Sequence, residues 1–168
     1  GDLKTVEYHT GSMPDGTHLV GGYNAENVSA AICVGRYFGV SEEAALAAIR
    51  AYIPSNNRSQ LMQTGRNTVV VDAYNANPTS MTAAINAFKG NCYILGAMRE
   101  LGEYSHLERK ADRVLLVGEE YKATTAPYHI FNNVEDLCAY LQTEPLTGYT
   151  ILLKGSRSNQ LEKVIPFL

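Results

Sequence analysis

An α/β fold with a Rossmann-like, mostly parallel sheet flanked by helices is predicted from two features of the sequence. A β-branched run at residues 68–71 ends at an acidic residue, crosses a short polar loop and enters a Pro-led amphipathic segment. This is the pattern of a buried strand, a loop and a helix N-terminus. The strand-then-polar-loop arrangement recurs at residues 150–158. Strands alternating with helices predict a parallel sheet.

The composition is that of a globular protein without an excess of basic residues. Of its 168 residues, 45% are hydrophobic and 18% charged, which is enough to bury a core. The net charge of −3 argues against a nucleic-acid partner. No apolar run of about 18 residues and no charged-then-apolar leader occurs, so we expect no membrane insertion and no signal peptide. Cys33, Cys92 and Cys138 are scattered in apolar contexts, which favours reduced thiols in a cytoplasmic protein over disulfides or a metal site.

The first part of the chain is predicted to be mainly helical. We expect weak strand character at residues 5–9 and a helix over residues 24–38 that follows a glycine turn. A second, Ala-rich helix starts at the N-cap residue Ser41 and ends before Pro54. A polar connector then leads to a domain boundary after residue 62, so the predicted domains are residues 1–62 and 63–168.

The second domain is predicted to alternate strands and helices. After the strand at residues 68–71, the expected elements are a helix over 79–88, strands over 92–96 and 113–118, a strand over 128–131, a helix over 133–141 and a strand over 150–153. The connection at residues 105–112 is near the shortest that a parallel crossover allows. If the sheet is doubly wound, the loops after the first and last of these strands lie side by side.

Polar side chains follow the first strand of that domain. They are Asp72, Tyr74, Asn75 and Asn77, and ligands of open parallel sheets bind beyond the carboxyl ends of the strands. A carboxylate at the position of Asp72 can accept hydrogen bonds from ribose hydroxyls, or it can cap the loop. Asn75 and Asn77 can contact a ligand, or they can form the turn that precedes Pro78.

Two further groups of polar side chains are candidates for ligand binding. Lys154, Ser156 and Arg157 follow the last strand, where they could hold an anionic group or form a solvated turn. Asn24 and Asn27 are three residues apart and share one face of a helix, where their amides could pair with a purine edge. N-capping is the alternative role of Asn24.

Three ordered motifs resemble the C-terminal part of Mur ligases. They are Gly-x-Tyr-Asn-x-x-Asn at residues 21–27, Asp-Ala-Tyr-Asn-Ala-Asn-Pro-x-Ser-Met at residues 72–81 and Leu-Lys-Gly-Ser-Arg-Ser at residues 153–158. The resemblance extends from about residue 19 to the end of the sequence. It is nearest to those family members that add D-alanyl-D-alanine to UDP-N-acetylmuramoyl-tripeptide in peptidoglycan synthesis.

The resemblance implies ATP and Mg²⁺ as the parent enzyme's cofactors and assigns roles to the nucleotide-binding candidates. It places Asn27 against the adenine of ATP, with Asn24 in support. It places Arg58 at the junction of the domains, where an arginine reaches the phosphates when the domains close, although a lone arginine in a linker is usually solvated. Asp72 is expected at the ribose.

The substrate-binding candidates follow from the same resemblance. Tyr74, Asn75 and Asn77 are expected near the incoming D-alanyl-D-alanine. The segment that carries Lys154, Ser156 and Arg157 is expected at the substrate cleft, where it would hold an anionic group. No residue is an evident nucleophile or base, so the expected contribution of this chain to catalysis is positioning.

Several departures from the family pattern qualify these expectations. Ala97 stands where an Asp is expected, Asn57 precedes Arg58 where Gly is more usual, and the segment after Ser105 is shorter. The phosphate-cradling loop, the Mg²⁺ ligands and the domain that binds the UDP sugar are missing. We therefore expect a fragment that comprises the tail of the ATPase domain and a C-terminal domain, and that folds but does not ligate. The alternatives are a stand-alone Rossmann-like module that binds a nucleotide or small ligand, and a purely structural domain.

Overall fold

The computed structural model describes residues 5–19, 22, 24–55, 57–98, 111–123 and 127–168. The chain divides into two compact units, Gly1–Pro54 and Ser55–Leu168. The predicted short connection at residues 105–112 lies mostly outside the described residues. Among the described residues, no helix has the length and apolar character needed to span a membrane.

The first unit is built on two helices, α1 (Asn24–Tyr37) and α2 (Glu42–Ala51), as predicted. α1 is followed by Gly39, whose φ of +84° suits glycine. Ser41 caps α2 by accepting a hydrogen bond from the Ala44 N–H at 3.2 Å. The strand character expected at residues 5–9 is wrong, because no described backbone hydrogen bond pairs this segment with another.

The second unit is a six-stranded sheet in the order β1-β2-β6-β3-β4-β5, flanked by helices. Its strands are β1 (Gln60–Gln63), β2 (Thr68–Asp72), β3 (Cys92–Gly96), β4 (Arg113–Val117), β5 (His129–Phe131) and β6 (Thr150–Lys154), and its helices are α3 (Pro78–Ala87) and α4 (Val134–Thr143). β1 pairs antiparallel with β2 and the other pairings are parallel. The predicted mostly parallel sheet is confirmed.

β1 lies within the second compact unit. It was not predicted as a strand, yet Gln60 pairs with Val71 and Gln63 with Thr68 in the antiparallel hairpin. These residues belong to the sheet, and the compact unit that contains the sheet begins at Ser55. The domain boundary predicted after residue 62 stays a prediction.

The central strands form the core of the second unit. Val69, Val71, Ile94, Ile151 and Leu153 are fully buried. Each such aliphatic side chain contributes about 1.5–3 kcal/mol through burial. Because β2, β3 and β6 are covered on both faces, their sequences are continuous apolar runs, and this is why the pattern identified them.

A buried asparagine in the β1–β2 turn ties three distant segments together. Asn67 is 4% exposed. Its side-chain amide donates hydrogen bonds to the carbonyl oxygens of Leu146, at 2.9 Å, and Leu168, and its oxygen accepts one from the Tyr149 N–H at 3.0 Å. A buried amide with all of these partners stabilises the fold, whereas its loss leaves buried groups unpaired.

The three cysteines are free thiols in different environments. Cys33 lies in the first unit and Cys138 in the second, and both are partly exposed. Cys92 is fully buried at the start of β3. Burial raises the pKa of the Cys92 thiol to about 12.

Candidate functional site

The carboxyl ends of β2 and β6 meet, as the predicted sheet requires. Asp72 and Lys154 are the last residues of these strands and are partners in the parallel register. Lys154 Nζ lies 3.1 Å from Asp72 Oδ2 and donates a hydrogen bond to the Asn75 carbonyl oxygen at 2.6 Å. The Lys154 side chain is 2% exposed and that of Asp72 is 13% exposed. The ammonium therefore fixes the loop after β2 to the end of β6.

The contacts of Lys154 affect two predictions that were made from the sequence. An ammonium that is buried and already bound to a carboxylate and a carbonyl has little capacity left for an external anion. The predicted anion-binding role of Lys154 stays a prediction, as does the ribose-binding role of Asp72. The geometry itself describes a buried ion pair that holds the ends of two strands together.

Two arginines from distant segments converge on one aromatic ring. The Arg58 Cζ lies 3.7 Å from the centre of the Tyr74 ring, and the Arg157 Cζ lies 3.8 Å from it. Both arginines are exposed. Hydrogen bonding to Arg58, followed by the positive charge of Arg157, lowers the pKa of the Tyr74 hydroxyl. These two exposed guanidinium groups are suited to bind an anion.

The backbone around Arg58 explains how this arginine is presented. Asn57 and Ser59 have φ values of +57° and +50°, which lie in the left-handed region. Glycine and asparagine tolerate that region best, so the Asn in place of the more usual Gly suits this conformation. The Ala73 N–H donates to the Asn57 carbonyl oxygen at 2.9 Å, which ties this segment to the residue that follows β2.

The two asparagines after β2 have different surroundings. Asn77 is the N-cap of α3, and its Oδ1 accepts a hydrogen bond from the Ser80 N–H at 2.8 Å in a capping box. This is the turn-forming role considered from the sequence. Asn75 is exposed, and its carbonyl oxygen binds Lys154. Substrate contact by either side chain stays a prediction.

The loop after β6 is connected to the end of β3. Ser156 Oγ lies 2.9 Å from Asn159 Oδ1 and 2.7 Å from Ser158 Oγ. Asn159 Nδ2 in turn donates to the Ala97 carbonyl oxygen at 3.2 Å. Ser156 is thus placed by internal hydrogen bonds, and the substrate-binding role predicted for it stays a prediction.

In the first unit, the two asparagines predicted to bind adenine lie together. Asn27 Nδ2 donates to Asn24 Oδ1 at 3.3 Å. Asn24 is 7% exposed, whereas Asn27 is exposed. The pair has the shared helix face expected from its spacing, and its role in binding adenine stays a prediction.

A cavity of about 390 Å³ lies at the carboxyl ends of β3, β4 and β5. It was not identified from the sequence, because its lining comes from four separate loops with no common motif. The lining residues are Ala97, 117–118, Glu120, 132–135 and 158–160. Glu120 and the first turn of α4 line the same cavity, and that turn carries Glu135 and Asp136, so the lining offers carboxylates to a cationic group.

The wall of the cavity next to Ala97 depends on a glycine. Gly118 has φ +134°, and a Cβ at this position would lie 2.3 Å from the Ala97 Cβ and 2.8 Å from Glu120 Oε2. These contacts also show that a carboxylate oxygen reaches the surroundings of Ala97. The carboxylate that the family pattern places at residue 97 is absent, but Glu120 supplies one to the same region of the cavity.

Within the part of the chain that the structure describes, no group of three or more His, Cys, Asp or Glu side chains could hold a metal ion.

Comparison with known proteins identifies a consistent set of relatives. Residues 57–157 match the family described as Mur ligase, glutamate ligase domain. The UDP-N-acetylmuramoyl-tripeptide–D-alanyl-D-alanine ligases of Bacillus subtilis (strain 168) and Escherichia coli (strain K12) are 31% and 30% identical over 88% and 96% of this chain. These matches cover 38% and 40% of the two relatives, so the chain spans about two fifths of their length.

A solved structure has the same fold. It is the UDP-N-acetylmuramoylalanyl-D-glutamyl-2,6-diaminopimelate–D-alanyl-D-alanyl ligase from Acinetobacter baumannii, which superposes with a TM-score of 0.73 at 25% identity. The match covers 87% of this chain and 36% of that one.

Proposed function

This chain belongs to the Mur ligase family, and we propose that it forms the C-terminal portion of an ATP-dependent ligase that joins D-alanyl-D-alanine to UDP-N-acetylmuramoyl-tripeptide. The predicted assignment of residues 1–62 to the central ATP-binding domain and of residues 63–168 to the C-terminal domain is part of the same proposal. So is a cytoplasmic location. The observation that carries the proposal is the polar edge of the sheet in the second unit, where an exposed pair of arginines and a cavity lined by Glu120 lie at the carboxyl ends of the strands of a unit that largely matches the family.

The reaction proposed for the whole enzyme proceeds through an acyl phosphate. ATP phosphorylates the terminal carboxylate of the tripeptide, the amine of D-alanyl-D-alanine attacks the acyl carbon, and phosphate leaves. Negative charge builds on the transferring phosphoryl group, and guanidinium groups stabilise it.

Within this scheme the chain contributes binding and orientation. Arg58 is suited to the phosphates of the nucleotide, Asp72 to its ribose, and Asn24 and Asn27 to its adenine, whereas Arg157 is suited to an anionic group of a substrate. Holding two substrates in reactive geometry can account for a large part of a rate enhancement.

We place the acceptor dipeptide in the cavity at the ends of β3, β4 and β5, which the loop that carries Asn75 and Asn77 does not line. Glu120 is suited to bind its ammonium group, because Glu135, another carboxylate of the lining, is paired with Lys163. Small-ligand pockets have volumes of about 300–1,000 Å³, and the cavity falls within that range.

The test is a titration of the purified chain with D-alanyl-D-alanine, with L-alanyl-L-alanine as the matched control, followed by backbone amide shifts in NMR. We expect shifts at residues 117–120 and 132–135 with the D,D-dipeptide and weaker ones with its enantiomer. Glu120→Gln should abolish them, whereas Glu144→Gln, at the exposed C-terminal end of α4, should leave them unchanged. Equal responses to both enantiomers, or none, would overturn the assignment of the acceptor site.

A second measurement concerns activity. The chain mixed with ATP, Mg²⁺ and both substrates should release no phosphate above the background without protein. ATP-dependent phosphate release would show that the chain is sufficient for ligation, contrary to the proposal.

A further inference from the structure

Tyr74 holds together two arginines that the chain supplies from opposite ends of the second unit. Arg58 precedes β1, and Arg157 begins the short helical turn after β6. Their guanidinium carbons lie 3.7 and 3.8 Å from the centre of the same ring. Two cations this close repel each other, and the negative face of an aromatic ring offsets part of that repulsion.

No carboxylate competes for these guanidinium groups among the described residues. Neither Arg58 nor Arg157 takes part in an ion pair there, and the nearby carboxylate of Asp72 is bound by Lys154. Each guanidinium has five N–H donors in a planar fork that matches the oxygens of a phosphate group. The pair is therefore poised to bind an anion that carries more than one charge.

We infer that Tyr74 is a positioning residue, which joins Arg58 and Arg157 into one site for the polyphosphate of the nucleotide. This inference rests on the proposed function and deepens it. It moves Arg157 from the substrate-binding group to the phosphate-binding group. It also replaces the predicted contact of Tyr74 with D-alanyl-D-alanine by an indirect role through the two arginines.

The Tyr74 hydroxyl also hydrogen-bonds with Arg58, but the ring face contacts both arginines and is expected to matter more. The ring face makes the contacts of 3.7 and 3.8 Å, and phenylalanine retains that face. Tyr74→Phe should therefore preserve the arrangement, whereas Tyr74→Leu should release both arginines while changing no charge. If Tyr74 instead contacted the phosphates through its hydroxyl, Tyr74→Phe would also weaken phosphate binding.

The experiment is a titration of the purified chain with inorganic tripolyphosphate, with dissociation constants taken from amide and arginine side-chain NMR shifts. Arg58→Gln and Arg157→Gln should each weaken binding about tenfold, since a hydrogen-bonded charged contact is typically worth about that much. The double variant should be weakened by less than the product of the two. Arg113→Gln is the control, because it removes the same charge from the amino-terminal end of β4, away from the carboxyl ends of the strands. It should change binding less than about twofold.

The Tyr74 variants decide the positioning role. Tyr74→Leu should weaken tripolyphosphate binding about threefold to tenfold, and Tyr74→Phe should remain within about twofold of the wild type. If Tyr74→Leu does not fold, the aromatic resonances of Tyr74 in the wild type, assigned by comparison with Tyr74→Phe, provide a second measurement. They should shift on addition of tripolyphosphate, and in Arg157→Gln the same shift should require about tenfold more tripolyphosphate. Wild-type affinity in Tyr74→Leu, or in Arg157→Gln, would overturn the inference.

The two proposals fail in distinguishable ways. Tripolyphosphate contains neither nucleoside nor dipeptide, so its binding tests the arginine pair alone. A silent dipeptide titration together with the expected tripolyphosphate results would overturn the acceptor assignment and leave the positioning role of Tyr74 intact. Normal dipeptide binding with unchanged tripolyphosphate affinity in Tyr74→Leu would do the reverse.

Discussion

Removing the ammonium of Lys154 tests whether the ends of β2 and β6 are held by a buried ion pair. The perturbation is Lys154→Met, which keeps a long apolar side chain and deletes the charge. Lys154 Nζ lies 3.1 Å from Asp72 Oδ2 and 2.6 Å from the Asn75 carbonyl oxygen. The variant therefore leaves the Asp72 carboxylate, whose side chain is 13% exposed, without its partner.

The size of the effect follows from burial and distance. At 3.1 Å, two unit charges attract by roughly 5 kcal/mol at an effective dielectric constant of about 20. Much of this attraction offsets the cost of burying the charges. Breaking such a pair by removing one partner typically costs about 3–5 kcal/mol. Because Asp72 retains some contact with water, we expect Lys154→Met to cost about 3 kcal/mol in the free energy of unfolding of the second unit.

The assay is native-state amide hydrogen exchange of the strand residues of β2, β3 and β6, which reports the opening of the second unit alone. The double variant Asp72→Asn/Lys154→Met removes both charges and should recover at least half of the loss. Lys122→Met, which breaks an exposed pair with Glu119, should cost less than about 0.5 kcal/mol. A loss below about 1 kcal/mol in Lys154→Met, or additive losses in the double variant, would refute the reasoning.

Three further changes test other features of the second unit. Asn67→Ala should lower the free energy of unfolding by about 3 kcal/mol in urea denaturation, because three buried hydrogen bonds are lost; a loss no greater than that of the exposed control Gln142→Ala would contradict this. Asn77→Ala should destabilise α3 by about 1 kcal/mol, and Asn77→Asp should restore most of it; equal protection of α3 amides in both variants would argue against the cap. Stability should fall by up to about 4 kcal/mol as the pH rises from about 9 to 12, because the folded state keeps the Cys92 proton, with its pKa of about 12, while the unfolded state loses it. Cys92→Ala should remove this component, so identical pH slopes in variant and wild type would show that the thiol is not its source.

Much of the fold was predictable because its strands are apolar on both faces. β2, β3, β4 and β6 are continuous hydrophobic runs, and such runs between helices identify a parallel sheet. β1 was missed because Gln60–Gln63 is an edge strand with alternating exposure and polar ends. Its pairing with β2 depends on the tertiary structure rather than on its own pattern.

The candidate site was predictable to the extent that topology determines it. The order of the strands brings the residues after β2 next to those after β6, and the sequence predicted that neighbourhood. The contacts of Tyr74 with Arg58 and Arg157 could not be predicted, since no local pattern specifies where long, flexible side chains from three segments meet. The cavity was missed for the same reason, because four loops contribute to it.

The positions of the three thiols allow the second unit of the folded chain to report its own opening. An alkylating reagent reaches Cys33 in the first unit and Cys138 in the second without a large rearrangement, because both are partly exposed. Cys92 lies at the centre of the sheet and reacts only after the strands separate. Mass spectrometry of intact protein would therefore count one late adduct for each molecule whose sheet has opened. The rate of Cys92 alkylation thus measures the rate at which the sheet opens, without any engineered label.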